Sequence, residues 1–394
     1  MIIPQGYRLA AVHCGLKRSQ KRDLTLIVSD RAAVAAGVYT LNEVCAAPVV
    51  LDRQRTPGEA FRVVAINSGC ANACTGDQGK RNAEAMARLA AEACDAEPSQ
   101  ALVMSTGIIG EQLAMEKIAA GIADAKSQLA RDEQALVQAA QGIMTTDLVH
   151  KLAARELTLG GRTIQVVGMA KGSGMIGPRM ATMLGVVLTD ATLTGATAQA
   201  ALGAATDRSF NCVSVDGHMS TNDTVLVLAN GAAGGEALSG DDLHQFQTAL
   251  EEVCIELAKK IADDGEGATH LITIDVSGCA GPADAHQIAK TVAESPLVKT
   301  AIAGADPNWG RIVSAAGYAG VHFQPAGVTL HVNDFLLYDQ GQPVPFDAEQ
   351  VSQSIRDHRD TRIALRFSEG AAVARFWTCD LTTEYVHINA DYHT

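Results

Sequence analysis

Aromatic side chains are scarce in this chain, at 4% of 394 residues, and no uninterrupted apolar run reaches the 18 residues that a membrane-spanning helix needs. Basic residues are outnumbered. The 31 Lys and Arg against 44 Asp and Glu leave a formal charge of −13, and no Lys or Arg cluster is longer than a few residues, which excludes a general nucleic-acid surface. The nine cysteines contain no C-x-x-C pair, and the two nearest, Cys70 and Cys74, lie in an apolar, small-residue stretch. The 11 histidines show no H-E-x-x-H spacing. Neither a zinc site nor a disulfide framework is therefore expected, and the cysteines read as buried, reduced, small apolar side chains. The opening Met1-Ile-Ile-Pro-Gln-Gly6 lacks the basic and apolar regions of a signal peptide, so a cytoplasmic protein with no membrane partner is expected. No low-complexity tract or internal repeat is present.

What the chain does have is small and apolar. Hydrophobic residues make up 47% and charged residues 19%, with alanine and glycine abundant, the profile of a closely packed soluble enzyme with a small-molecule substrate. Length suggests two or three domains. Short β-branched or apolar runs bounded by Asp, Pro or Gly predict strands at 24–28, 35–39, 47–51 and 61–66. Helical spacing of Met86, Leu89, Ala90 and Ala93 predicts a helix at 80–94, and Leu136, Ala139, Ala140 and Ile143 predict another. The longest helical signal, 241–263, carries Leu243, Phe246, Leu250, Val253, Leu257 and Ile261 on one stripe. Strands are expected again at 272–276 and 363–367, with a hairpin of 328–332 and 335–338 around Asn333-Asp334. Mixed order with hairpins favours an α/β sandwich of layered sheets and helices over a doubly wound parallel sheet.

The most informative stretch is Lys171-Gly-Ser-Gly-Met-Ile-Gly-Pro-Arg-Met-Ala-Thr-Met-Leu184. A glycine-rich loop can hold a strained turn without Cβ clashes. It ends in Ala181, whose small side chain leaves its carbonyl open, and Thr182, whose β-branch restricts where Oγ can point. If the bond between them breaks, Thr182 gains an α-amine beside its own hydroxyl, and the amine can act as general base for the Oγ nucleophile. The same stretch spells G-x-G-x-x-G from Gly172 to Gly177, the outline of a dinucleotide fingerprint. That outline fails on spacing: 178–184 leaves room for about two helical turns, where a crossover helix needs roughly ten residues or more.

The loop ending in Met-Ala-Thr-Met-Leu closely resembles the self-cleavage signature of the ornithine acetyltransferases, the glutamate N-acetyltransferase family of arginine biosynthesis. Further segments fall in that family's order: 4–7, 67–76, 105–110, 144–147, 220–224, 264–269, 304–311 and 385–394. The resemblance implies a layered α-β-β-α type main domain at 1–280 and a smaller C-terminal α/β domain at 281–394. It also implies scission between Ala181 and Thr182 into an alpha chain, 1–181, and a beta chain, 182–394, assembled as a heterotetramer of two alpha and two beta chains.

The implied chemistry is acetyl transfer from N-acetyl-L-ornithine to L-glutamate through an acetyl-Thr182 ester, with no metal or organic cofactor. The Thr182 α-amine would shuttle the proton in both halves, titrating at or below about 7.7 to 8.0, close to working pH. Acetyl-CoA is a second donor that these residues neither require nor exclude. An aminopeptidase or amidase, in which water accepts the acyl group, is the alternative. Thr106 and Gly107, in Ser105-Thr106-Gly107, take the oxyanion role by resemblance. Thr145, Lys171, Thr182, Glu266, Asn389 and Thr394 take the substrate-binding role in the same way. Without the family, Lys171 and Glu266 would read as solvated surface charges and the tail as frayed. Four positions depart from the family pattern: Cys45 for Lys, Cys70 for Asn, His218 for Asp and His270 for Lys. They bear on substrate range rather than reaction type. His270 lies four residues from Glu266 and is the departure nearest a proposed binding residue in sequence.

Overall fold

The computed structural model describes residues 1–177 and 183–391. Among these residues the chain is a mixed α/β sandwich built on two mixed sheets. The first runs, edge to edge, Ala101–Ile108, Gly58–Cys70, Leu24–Tyr39, Thr224–Ala229, Leu184–Thr189, Arg162–Lys171 and Lys151–Leu159, with Tyr7–Val12 paired to the first half of Leu24–Tyr39. The second runs Gln342–Pro343, Phe335–Asp339, Thr329–Val332, Asp360–Arg366, Leu271–Cys279, Ala372–Cys379 and Val213–Ser214. The two stretches read as separate strands at 24–28 and 35–39 are one continuous strand, whose halves pair with different neighbours.

The helix Gly240–Asp263 joins the layers. Its stripe of Phe246, Leu250, Val253, Leu257 and Ile261 is buried, packing on Lys151–Leu159 and Arg162–Lys171 on one side and reaching Ala372–Cys379. Each such side chain contributes roughly 1.5–3 kcal/mol by leaving water. Gly195–Asp207 packs beside it against Leu24–Tyr39, while Glu133–Gly142 covers the opposite face of the first sheet at Tyr7–Val12. Pro282–Glu294 lies on Leu271–Cys279 and Ala372–Cys379.

One expected strand is a helix. Residues 47–51 begin the helix Ala47–Arg55, with Pro48 in its first turn, where a missing N–H costs nothing. Tertiary contact overrides the β-branched pair Val49-Val50: Val49 is buried, and Asp52, one turn on, is buried accepting the Val103 N–H through both oxygens at 3.1 and 3.2 Å. The hairpin is where the sequence places it. Asn333 and Asp334 hold φ of 45° and 68°, the left-handed pair a two-residue turn between twisted strands requires. None of the nine cysteines is paired, Cys74 alone being exposed and most of the others buried. No helix among the described residues is long and apolar enough to cross a membrane, and no group of three or more His, Cys, Asp or Glu among them could hold a metal ion.

Candidate active site

Three adjacent strand ends define the site. In the first sheet Lys171 is opposite Leu184, and Leu184 is opposite Thr224, so the chain enters Leu184–Thr189 between the end of one neighbour and the start of the other. Ala181 and Thr182 lie outside the described residues, as does Thr394. Met183, the next residue after Thr182, is clamped on both sides of its peptide unit. Its N–H donates to Asp223 Oδ1 at 3.0 Å, and its carbonyl accepts the Thr224 N–H at 3.2 Å. Because Arg162–Lys171 and Leu184–Thr189 are antiparallel, the glycine loop joins sheet neighbours directly. A dinucleotide fold would need a parallel crossover there.

Lys171 is buried, 2% exposed, against its reading in isolation as a solvated charge. Its Nζ stands 3.9 Å from Asp147 Oδ2 and makes no hydrogen bond to a described residue. Asp147 is the hub. It accepts the Thr145 N–H at 2.9 Å and the Gly172 N–H at 2.6 Å, and takes the fully buried Lys151 ammonium at 2.7 Å; Lys151 in turn reaches Asp264 at 2.6 Å. Burial pushes the Asp147 carboxyl up, but Lys171 and Lys151 outweigh it and hold it well below the usual carboxylate range. Burial pulls the Lys171 ammonium below the ordinary lysine value, with Asp147 acting the other way. Burial raises Asp264 in spite of Lys151.

The glycine loop is held by acids on neighbouring segments. Ser173 Oγ donates to the Asp264 carbonyl at 2.6 Å, and the Ser173 carbonyl accepts the Glu266 N–H at 2.9 Å. Asp216 accepts the Met175 N–H at 2.6 Å and the Ile176 N–H at 2.9 Å. A Cβ on Gly174 would sit 2.4 Å from the Glu266 carboxylate, so this glycine is what lets the half-buried acid approach the loop. The closing segment, read as a possible frayed end on position alone, forms the helix Thr383–Asp391 and docks here. Asn389 Nδ2 donates to Glu266 Oε2 at 2.9 Å, and the Tyr385 hydroxyl donates to Asp216 Oδ2 at 3.2 Å.

Thr106 and Gly107 end the edge strand Ala101–Ile108. Gly107 has φ 131° and lies opposite Gly69, and an added Cβ would come within 2.4 Å of the Gly69 carbonyl carbon. Only glycine fits. The turn is tied to the start of Thr224–Ala229 by buried Asn222, whose Nδ2 donates to the Ser105 carbonyl at 2.8 Å and the Ala71 carbonyl at 2.7 Å. Asn222 precedes Asp223, so the segment that clamps Met183 also fixes the Thr106 turn.

The structure thus links Thr145 to Lys171 through Asp147, and Glu266 to Asn389 directly. Asp147, Lys151, Asp216, Asn222 and Asp223 were not singled out from the sequence, although Asp147, Asn222 and Asp223 fall inside matched segments. Of the departures, His218 is exposed and Cys70 buried, and the Cys45 thiol donates to the Asn42 carbonyl at 2.8 Å. His270 turns from Glu266 toward Asp380, 3.0 Å from Nδ1, with the Ile355 carbonyl 3.2 Å from Nε2.

Likeness to known proteins over the whole chain, and not this layered α/β fold by itself, makes it an acetyltransferase of arginine biosynthesis. The ArgJ family model matches residues 8–394, and the chain belongs to that family. The arginine biosynthesis bifunctional protein ArgJ of Rhodopirellula baltica is 47% identical over 396 residues, covering 100% of this chain and 97% of its own. The protein of the same name from Bacillus subtilis is 44% identical, with coverage of 99% and 96%. The crystal structure of the arginine biosynthesis bifunctional protein from Bacillus halodurans superposes with a TM-score of 0.51 at 40% identity, over 52% of this chain and 96% of that one.

Proposed function

We propose that this chain cuts itself between Ala181 and Thr182 and then uses Thr182 to carry acetyl from N-acetyl-L-ornithine to L-glutamate. The observation that carries the reading is Lys171: a buried ammonium without a hydrogen bond to a described residue, level in the sheet with Leu184, two residues past the proposed nucleophile. An ammonium buried in this way gains from any anionic or carbonyl group brought to it. Thr106 and Gly107 supply oxyanion donors. Thr145, Lys171, Glu266, Asn389 and Thr394 hold the amino-acid substrate, with Glu266 suited to the cationic side chain of ornithine. The Thr182 amine passes its proton to the departing amine in the first half-reaction and takes one from glutamate in the second.

The Bacillus halodurans comparison supports the cut, because a chain 96% covered by 52% of this one is about half its length. The fragments expected here have about 181 and 213 residues. The bifunctional names of the relatives support acetyl-CoA as a second donor. We place the boundary of the main domain near 280, with 281–394 as the smaller domain, and the cut pairs as an α2β2 heterotetramer. Mass spectrometry of purified protein tests the first step: two fragments are expected, and intact 41.1 kDa chain with full activity would refute it. Assay with N-acetyl-L-ornithine and glutamate tests the second. Acetylglutamate is the expected product, and free acetate alone would indicate a hydrolase.

A further inference from the structure

Residues 13–23 close the hairpin of Tyr7–Val12 and Leu24–Tyr39, and one buried acid shapes them. Asp23 accepts the N–H groups of Cys14, Gly15, Leu16 and Lys17 at 2.6, 3.1, 2.8 and 3.0 Å, charge-assisted bonds that fix the turn. The turn is a rigid mount for Lys17. The Lys17 stem runs along Gly69, where an added Cβ would stand 3.3 Å from Lys17 Cγ and 3.3 Å from the Leu16 carbonyl oxygen. Gly69 lies opposite Gly107, which sets Lys17 beside the Thr106 turn. The half-buried Lys17 ammonium donates to the Arg22 carbonyl at 2.7 Å, its one hydrogen bond among the described residues, and has two N–H groups to spare. Burial pulls this ammonium down to about 8, with Asp23 and Asp147 acting the other way and Lys171 adding to the fall. Burial lowers Lys171 too, and Asp147 and Glu266 hold it up in part. Lys17 and Glu266 thus lie within electrostatic reach of the same ammonium.

The two amino acids of the proposed exchange differ in a way that a shared site must meet. N-acetyl-L-ornithine brings one carboxylate and a side-chain ammonium, whereas L-glutamate brings a second carboxylate in place of that ammonium. Glu266 suits the ammonium and repels the second carboxylate, so the acceptor needs a further cation. We propose that Lys17 supplies it, as the specificity residue that donates from Nζ to the side-chain carboxylate of L-glutamate. The assignment rests on the reading that acetyl passes to glutamate at this site. An ammonium already stripped of part of its water gains more from an incoming anion than an exposed one does. The cationic side chain of ornithine gains nothing from it, so Lys17 bears on the acceptor and not on the donor.

The test is steady-state kinetics of Lys17→Met, which keeps the stem on Gly69 and removes the charge, with L-glutamate and with L-glutamine, a neutral acceptor of the same shape. Thermal unfolding verifies that the variant folds. KM for glutamate is expected to rise about tenfold or more, while KM for N-acetyl-L-ornithine stays within about threefold of the parent. The parent's preference for glutamate over glutamine in kcat/KM should fall by about tenfold or more, and Lys17→Arg should recover part of it. A structural defect would move both KM values and leave the preference alone. An unchanged KM for glutamate, an equal rise in both KM values, or a preserved preference would each overturn the proposal. If Lys17→Met does not fold, Lys17→Gln, which can still donate to the Arg22 carbonyl, is held to the same outcomes. A parent protein that makes no acetylglutamate would instead overturn the underlying reading.

Discussion

Asn389 reaches from the last described helix to Glu266 and donates a hydrogen bond to Oε2 at 2.9 Å. The contact joins the closing helix to the acid that lies against the glycine loop, which makes the tail a wall of the proposed site. Removing residues 388–394 is expected to abolish transfer while fragments still form at the parent rate. Asn389→Ala alone should raise KM for the acetylated amino acid by about tenfold, as expected for one hydrogen bond to a charged group at an exposed position. Steady-state kinetics beside mass spectrometry checks both, and full activity in the shortened chain would remove the tail from the site.

Asp147 stands between two buried ammonium groups, and removing it would strand them. Asp147→Asn is expected to lose about 3–5 kcal/mol of stability, measured by urea unfolding. The acid limb has a definite sign. The unfolded carboxyl takes a proton near its ordinary value of 3.8, whereas the folded one resists until lower pH. Acid therefore favours the unfolded chain, and stability falls progressively as pH drops below about 5. The variant should show a shallower fall over that window, and an unchanged slope would mean Asp147 is not held low.

Thr106→Ala tests the oxyanion turn. Losing one such donor costs about 10² to 10³ in turnover, and the protein should remain folded. Gly107→Ala is a harsher change, since its Cβ would press on the Gly69 backbone at 2.4 Å in a conformation that disfavours side chains. It should cost about 2 kcal/mol or more in stability as well as activity. A Thr106→Ala enzyme with parental kcat would assign the oxyanion elsewhere.

Asp216 moors the glycine loop through the N–H groups of Met175 and Ile176 and receives the Tyr385 hydroxyl. Asp216→Ala is expected to slow fragment formation by about 10²-fold through misplacement of the scissile turn. Tyr385→Phe, which leaves both backbone contacts, should leave that rate within a few-fold of the parent. Equal rates in all three proteins would detach the loop's anchoring from scission.

Much of the fold was legible because burial writes itself into periodicity. The stripe from Phe246 to Ile261 and the Asn333-Asp334 turn both depend on local rules. Residues 47–51 misled because their strand preference was outweighed by the burial of Val49 and by the bond from Asp52 to Val103, a contact 51 residues away. The candidate site residues came from motif resemblance rather than from physics. Nothing local marks Lys171 as buried, since what buries it is a sheet assembled from distant strands and a hub at Asp147. Asp223 is the same case, since only the assembled sheet brings the Met183 N–H, 40 residues away, to its carboxyl.

The order of the first sheet has a consequence for a severed molecule. Leu184–Thr189 and Thr224–Ala229 follow the proposed break, yet they sit in mid-sheet, flanked by Leu24–Tyr39 on one side and Arg162–Lys171 on the other, both of which precede it. The two polypeptides are interleaved like the fingers of clasped hands. Pulling them apart would tear two rows of ladder bonds at once, so the nicked protein should melt in a single transition and never exchange halves with another copy while folded.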